Sequence, residues 1–199
     1  GTASVVEGGS IVYSASLTNP TGTALTITLS NGAVINIAAN ASTGSVTVAA
    51  PSDDAVIDAG SVSVTVASTS GGNYEQLTVG TGSAGNPVIT TVTDDADSTT
   101  LSLTASASVV EGGNITYTAS VTNPTGTALV VTLSNGSSIT IPAGQSSGNV
   151  SVAAPSDDVY IDAGSVTVSV TGTSGGNYEN LQNGSISATT AITDDSDST

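Results

Sequence analysis

Residues 114–121 read Asn-Ile-Thr-Tyr-Thr-Ala-Ser-Val, and every second residue is apolar or aromatic. Side chains of a β-strand point alternately to its two faces, so this pattern predicts a strand with one buried face. That face carries Ile115, Tyr117, Ala119 and Val121. The other face carries Asn, Thr and Ser rather than charged residues, and Thr favours strands. The stretch therefore predicts a half-buried strand in an all-β fold.

Similar alternating stretches surround this strand and predict seven strands in the second half of the chain. Their predicted ranges are 101–110, 115–121, 129–133, 138–141, 149–154, 165–171 and 186–193. Asn135-Gly136, between the third and fourth of these strands, is a strong hairpin-turn signal. Seven short alternating strands within roughly 100 residues are typical of an immunoglobulin-like β-sandwich with Greek-key connections.

The first half of the chain repeats the second half. Ser4–Gly9 returns as Ser108–Gly113, an offset of 104 residues. The offset falls to 100 residues before the last acidic segment, so the first copy carries four additional residues within residues 80–86. Self-similarity of this length indicates repeated structural units.

We therefore predict two tandem immunoglobulin-like sandwiches arranged end to end, with module boundaries at residues 1–97 and 98–199. Gly1 aligns with Ala105 of the second copy, so the first copy starts late. The late start of the first copy suggests a fragment of a longer array of such modules.

The charge of the chain restricts its partners. It contains no Lys, Arg or His and 16 acidic residues, for a net charge of −16. Nothing in such a chain neutralises phosphate, so we expect no nucleic-acid partner and no attraction to an anionic membrane surface. No apolar run is long enough to insert into a membrane. The absence of Cys excludes disulfides, so the chain needs another means of holding its loops. We expect an extracellular monomer.

Two acidic segments stand out against this background. Residues 93–99 read Thr-Asp-Asp-Ala-Asp-Ser-Thr, and residues 193–199 read Thr-Asp-Asp-Ser-Asp-Ser-Thr. Three carboxylates within four residues repel one another, and no basic side chain is available to neutralise them. A bound metal ion would, and Ca²⁺ fits best because it takes six to eight oxygen ligands from flexible loops. Zn²⁺ prefers His and Cys, and Mg²⁺ is less suited to an all-protein cage.

The predicted strand order brings the acidic residues to one pole of each sandwich. The turn after the first strand, the turn between the fifth and sixth strands and the end of the last strand share that pole. The predicted ligands in the first copy are Glu7, Asp53, Asp54, Asp58, Asp94, Asp95 and Asp97. Those in the second copy are Glu111, Asp157, Asp158, Asp162, Asp194, Asp195 and Asp197. We predict that the first acidic segment is a calcium-bound joint between the modules.

Two alternatives remain open for these acids. Asp is common in turns for conformational reasons alone, so a turn location does not by itself indicate a ligand. Glu75 and Glu179 lie in the loop before the last strand, at the opposite pole, and are either metal ligands or exposed loop acids.

Three segments of the second copy resemble the extender repeats of giant bacterial surface adhesins of the repeats-in-toxin class. They are Val109–Gly113, Ala154–Gly164 and Thr193–Asp195. Their acidic pattern is also similar to that of Calx-β domains, which bind calcium at one pole. The resemblance implies secretion to the bacterial cell surface and a spacer role in a chain of calcium-stiffened sandwiches. Such a spacer contacts neighbouring repeats and projects a distal binding domain for surface attachment or biofilm formation. The resemblance places the ligand role on the acids named above.

Two other functions were weighed. A carboxylate pair can catalyse glycoside hydrolysis, but the chain has no His or Cys as base or nucleophile, and we expect no catalytic residues. A carbohydrate- or host-protein-binding module is the alternative to a spacer. Tyr74 and Tyr178 lie in Gly-rich loops, where they either stack on a sugar or pack over the end of the core.

Overall fold

A computed structural model describes residues 1–160 and 163–194 of the chain. It divides them into two compact units. The first unit holds Gly1–Asp54 and Asp58–Asp95, and the second holds Ala55–Ile57 together with the chain from Ala96 onward. The described residues form strands and turns without a helix, so this part of the chain contains no helix that could cross a membrane.

The first unit is built from eight strands. They are β1 Ser4–Val6, β2 Ser10–Ser16, β3 Leu25–Leu29, β4 Val34–Ile37, β5 Thr43–Ala49, β6 Gly60–Val64, β7 Val66–Gly71 and β8 Val88–Thr93. One layer consists of the antiparallel pair β2 and β5. The other layer contains the orders β1-β8-β6 and β4-β3-β7, in which β6 and β7 are separated only by Thr65.

The second unit contains nine strands among its described residues. They are β9 Ser98–Ala105, β10 Ser108–Val110, β11 Asn114–Val121, β12 Leu129–Leu133, β13 Ser138–Ile141, β14 Ser147–Ala153, β15 Gly164–Gly175, β16 Asn180–Gln182 and β17 Ser187–Thr193. One sheet has the order β14-β11-β9-β16, and the other has the order β10-β17-β15-β12-β13. The core lies between these sheets.

The alternation of residues 114–121 positions that core. Ile115, Tyr117, Ala119 and Val121 of β11 are all buried, while the intervening polar residues are exposed or half-buried. The same pattern in β2 buries Ile11 and Tyr13 in the first unit. The all-β tandem fold predicted from the alternation is confirmed.

The structure adds two features to the predicted strands. The predicted strand over residues 101–110 is broken, so that β9 pairs with β11 in one sheet and β10 pairs with β17 in the other. At the break, Thr116 and Ser106 exchange two hydrogen bonds of 3.1 Å, one of them to the Ser106 hydroxyl. A Ser side chain that bonds to nearby backbone replaces a ladder partner and lets the chain leave the sheet. The short strand β16, which pairs in parallel with β9, was not predicted.

We expect the Ile37→Ala substitution in β4 to destabilise the chain by about 2–5 kcal/mol, because Ile37 is fully buried and its removal leaves a cavity. The matched control is Ile89→Ala in β8, where the side chain is 57% exposed. Urea unfolding of the full chain measures both. Equal destabilisation by the two variants would contradict the packing described above.

Alkaline pH should reveal the buried tyrosines. Burial raises the pKa of the Tyr117 hydroxyl and of the Tyr178 hydroxyl above the ordinary value of 10.0. The folded state therefore keeps protons that the unfolded state loses, so stability is complete below pH 10 and falls as pH rises beyond it. The limit is about 1.4 kcal/mol per pH unit for each tyrosine. Lys, Arg, His and Cys are absent, so tyrosines are the only side chains that titrate in this range.

The Tyr117→Phe variant tests this expectation, with Tyr160→Phe as its control because Tyr160 is 73% exposed. Unfolding free energies between pH 9 and pH 12 should decline less steeply in Tyr117→Phe than in the parent chain. An unchanged slope in Tyr117→Phe would show that this hydroxyl ionises freely in the folded state.

Candidate metal centre

Three acidic residues of the first unit meet because of strand order. The strand β8 lies between β1, which is parallel to it, and β6, which is antiparallel. The register pairs Val6 with Thr93 and Gly60 with Val92. The end of β1, the end of β8 and the start of β6 therefore share one edge of the sheet.

Glu7 and Asp94 directly follow β1 and β8, and Asp58 lies two residues before the start of β6. One carboxylate oxygen of each lies within 4.8 Å of the other two. The backbone N–H of Asp58 also donates a hydrogen bond of 3.2 Å to Oδ1 of Asp94. The three carboxylates thus come from segments far apart in sequence, and together they could hold a metal ion.

Glu7 is held in place by the turn that follows β1. Its backbone N–H donates to the Thr93 carbonyl at 3.0 Å, which continues the parallel ladder by one residue. The next residue, Gly8, has a φ of +68° and donates to the Pro51 carbonyl at 2.7 Å. A Cβ on Gly8 would lie 3.0 Å from the Cβ of Asp53, so both the backbone conformation and the space favour glycine here. The turn therefore presses the Glu7 segment against the loop that carries Asp53.

Burial strengthens the repulsion between the carboxylates at this edge of the sheet. Glu7 is only 6% exposed, Asp94 is half-buried and Asp58 is exposed. Two carboxylates about 4 Å apart repel by roughly 1 kcal/mol in water and 4 kcal/mol near a protein surface. The sequence contains no basic side chain to offset this repulsion. Carboxylate oxygens on loops are the donor set that calcium prefers, so the residues fit a calcium ion.

The remaining acids of the first copy are distributed more widely. Asp53 and Asp54 are exposed in the loop after β5, with Asp53 beside Gly8, and Asp95 is exposed. Asp97 belongs to the second unit, where its backbone N–H donates to Oε2 of Glu179 at 2.6 Å. The position of Glu179 in the sequence is compatible with a metal ligand or a loop acid, and the structure adds its role as acceptor for a backbone N–H.

The second unit builds the same scaffold around Glu111. This residue is 8% exposed, and its N–H donates to the Thr193 carbonyl at 3.0 Å. Gly112 has a φ of +69° and donates to the Pro155 carbonyl at 2.7 Å. A Cβ on Gly112 would lie 3.1 Å from the Cβ of Asp157. The hydrogen bonds and the glycine conformation that hold Glu7 are therefore reproduced around Glu111.

Other predicted ligands of the second copy are described only in part. Asp158 is exposed, and its Oδ1 accepts a hydrogen bond of 2.8 Å from the Tyr160 N–H. Asp194 follows β17 and is half-buried. Three predicted ligands lie outside the described residues, namely Asp162, Asp195 and Asp197.

Tyr74 and Tyr178, the two candidate sugar contacts, each form a hydrogen bond within their own unit. Tyr178 is 7% exposed within the core, and its hydroxyl donates to the Asn123 carbonyl at 2.8 Å. Tyr74 is half-buried against the core of the first unit and donates to the Asn19 carbonyl at 2.7 Å. Both rings therefore pack over an end of the core, with their hydroxyls used in loop contacts.

Comparison with known proteins gives one family. A family model described as LapA domain matches residues 1–95 and again residues 97–195. No curated protein matches the chain. The two matches follow the internal repeat and together span nearly the whole sequence.

Calcium should raise the stability of the chain. An ion that binds only the folded state adds RT ln(1 + [L]/Kd), which is about 2.7 kcal/mol at 100 times Kd. Extracellular calcium sites have Kd values of about 10⁻⁴–10⁻³ M, so millimolar calcium should increase the melting midpoint relative to chelator. Magnesium at the same concentration is the control for general screening. Identical midpoints in calcium and in chelator would exclude a calcium site.

The Glu7→Gln variant should reduce this calcium response, because it removes a buried charge from the three-carboxylate group. The matched control is Glu75→Gln, which removes the same charge from an exposed position in a different loop. Calorimetric titration should show weaker or fewer sites in Glu7→Gln and unchanged binding in Glu75→Gln. Full-strength binding by Glu7→Gln would place the ligands elsewhere.

Proposed function

The chain belongs to the LapA domain family, an adhesin-associated family, and on this premise we propose that it is a calcium-stiffened spacer of a large bacterial surface adhesin. In this function the modules project a distal binding domain away from the cell for surface attachment or biofilm formation. Adhesin domains of this family are generally non-enzymatic, and we propose no catalytic role. The partners are calcium ions and neighbouring repeats of the same chain.

The observation that carries this proposal is the meeting of Glu7, Asp58 and Asp94 at the end of β8. Residues 94–97 are all that separates β8, which ends at Thr93, from β9, which begins at Ser98. A cation held by Glu7, Asp58 and Asp94 attaches the first residue of this connection to the body of the first unit. The free torsions of the connection are thereby reduced.

The flexibility of the connection, residues 94–97, should differ with and without a bound cation because the connection is acidic. Without a cation, Asp94, Asp95 and Asp97 repel one another along the chain, and Asp94 also repels Glu7, so the connection gains from spreading apart. With Ca²⁺ bound, Glu7, Asp58 and Asp94 are attracted to one ion, which holds the start of the connection. A spacer that must transmit force therefore becomes stiffer in calcium-rich surroundings outside the cell.

The amino-acid composition of the chain also suits a surface-exposed spacer. Ser, Thr, Gly and Asn occupy the outer faces of the strands, and the only charges are the 16 acids of the repeated pattern. No basic side chain is present to attract nucleic acid or anionic lipid. We propose that the chain works as a monomer at the bacterial cell surface.

The proposal is tested by small-angle scattering of the full chain in calcium and in chelator. We expect a narrow distribution of dimensions in calcium and a broader one in chelator. The triple variant Asp94→Asn, Asp95→Asn, Asp97→Asn should show the broader distribution in both, while the sandwiches stay folded because their cores use none of these side chains.

The matched control is the triple variant Asp194→Asn, Asp195→Asn, Asp197→Asn. It removes the same number of charges at equivalent positions that do not lie between β8 and β9. It should keep the calcium response of the parent chain. Equal flexibility of the parent chain in calcium and chelator would refute a stiffened spacer, even with calcium bound.

A further inference from the structure

The chain contains three Asn-Gly pairs, and one of them differs from the other two in its hydrogen bonds. The pairs are Asn31-Gly32, Asn135-Gly136 and Asn183-Gly184. In such a pair the backbone nitrogen of the glycine can attack the side-chain amide of the asparagine, because glycine has no side chain to obstruct the approach. The hydrogen bonds that hold each pair therefore decide how readily it reacts.

The first pair lies in the hairpin turn between β3 and β4. The Gly32 N–H donates a hydrogen bond of 2.9 Å to the Leu29 carbonyl. The asparagine side chain is also held, since Oδ1 of Asn31 accepts a hydrogen bond of 3.1 Å from the Ala33 N–H. Attack by the Gly32 nitrogen must therefore break a bond of the nucleophile and a bond of the side chain.

The second pair lies in the equivalent turn between β12 and β13 and is held in the same way. The Gly136 N–H donates to the Leu133 carbonyl at 3.0 Å. Oδ1 of Asn135 accepts hydrogen bonds from the N–H and the hydroxyl of Ser137, at 3.1 Å and 2.7 Å. Both the attacking nitrogen and the side chain are therefore restrained here too.

The third pair lies in the irregular segment between β16 and β17, outside any hairpin turn. Among the described residues, the Gly184 N–H donates to no hydrogen-bond acceptor. The Asn183 side chain is held only through its amide nitrogen, since Nδ2 donates to Oγ1 of Thr173 at 3.1 Å. The attacking nitrogen of this pair is therefore open to water, unlike those of the two hairpin turns.

Exposure and space do not distinguish the three pairs. The six residues are all exposed. A Cβ built on any of the three glycines would meet no atom within 4 Å. The pairs therefore differ in the hydrogen bond of the glycine N–H rather than in access for water. At the place of the third pair the first repeat has Val79-Gly80, so the site has no counterpart there.

We propose that Asn183 is a modification site, at which the side-chain amide is lost spontaneously with water as the co-reactant. The Gly184 nitrogen gives its proton to water or hydroxide and forms a bond to Cγ of Asn183. The bond between Cγ and Nδ2 breaks, and the departing nitrogen takes up a proton from water and leaves as ammonia. Water then opens the resulting cyclic imide to aspartate or isoaspartate. The reaction uses none of the residues of the proposed calcium centre.

The product changes the end of β16 and the charge of the second unit. An aspartate at position 183 has no Nδ2 to donate to Thr173, and an isoaspartate lengthens the backbone between β16 and β17. Each event also adds one negative charge to a chain that already carries −16. The modification is therefore visible both in the mass of the chain and in its charge.

The test is incubation of the folded full chain in mildly alkaline buffer, followed by mass spectrometry of its fragments. Cleavage after glutamate places each Asn-Gly pair in a fragment of its own, because the glutamates of the chain are Glu7, Glu75, Glu111 and Glu179. We expect Asn183 to lose its amide about tenfold faster than Asn31 or Asn135, the ratio that one backbone hydrogen bond can account for.

The Gly184→Ala variant should suppress the loss at Asn183, because its methyl group obstructs the attacking nitrogen. The matched control is Gly80→Ala, the equivalent change in the first repeat, which should leave the loss at Asn183 unchanged. Both positions have open space for a Cβ, and the melting curve of each variant reports whether it folds. Incubation of the parent chain in urea is a second control. Unfolding breaks the hydrogen bonds of both turns, so the three pairs should then react at similar rates.

Three results would overturn the proposal. The first is equal or slower amide loss at Asn183 than at Asn31 and Asn135 in the folded chain. The second is a rate difference that persists unchanged in urea, which would assign it to the neighbouring sequence instead of the fold. The third is an unaltered rate at Asn183 in the folded Gly184→Ala variant, which would exclude attack by the Gly184 nitrogen.

Discussion

The positions of Glu7 in the first unit and of Glu111 in the second depend on the parallel pairing of a three-residue strand with the last strand of the module. The pairing of β1 with β8 puts the Glu7 N–H on the Thr93 carbonyl at 3.0 Å, and the pairing of β10 with β17 does the same for Glu111 and Thr193. Three residues form few hydrogen bonds, so the glycine that follows each strand is part of the same restraint. Gly8 and Gly112 turn the chain, and their own N–H groups donate to the carbonyls of Pro51 and Pro155.

This restraint brings carboxylates close together, and the chain has no basic side chain that could offset their repulsion. It places the nearly buried Glu7 beside Asp94 and Asp58 in a chain without a single basic side chain. Most surface proteins intersperse charges of both signs, and there a cluster of this kind could be neutralised locally. Here no basic side chain can neutralise the cluster, and this is the physical basis of the proposed dependence of the edge and of the following connection on a cation.

The sequence by itself determined the all-β class, the tandem repeat and the buried face of β11, because these follow from periodicity and spacing along the chain. Strand order also implies which strand ends share an edge, and Glu7, Asp58 and Asp94 lie beside three such ends. Only the tertiary structure decided that residues 101–110 break between two sheets, that β16 forms, and that Glu179 accepts the Asp97 N–H. The physical reason is that these outcomes depend on pairing between distant segments. A period of two along one strand specifies which face is buried but does not specify which strand becomes its neighbour.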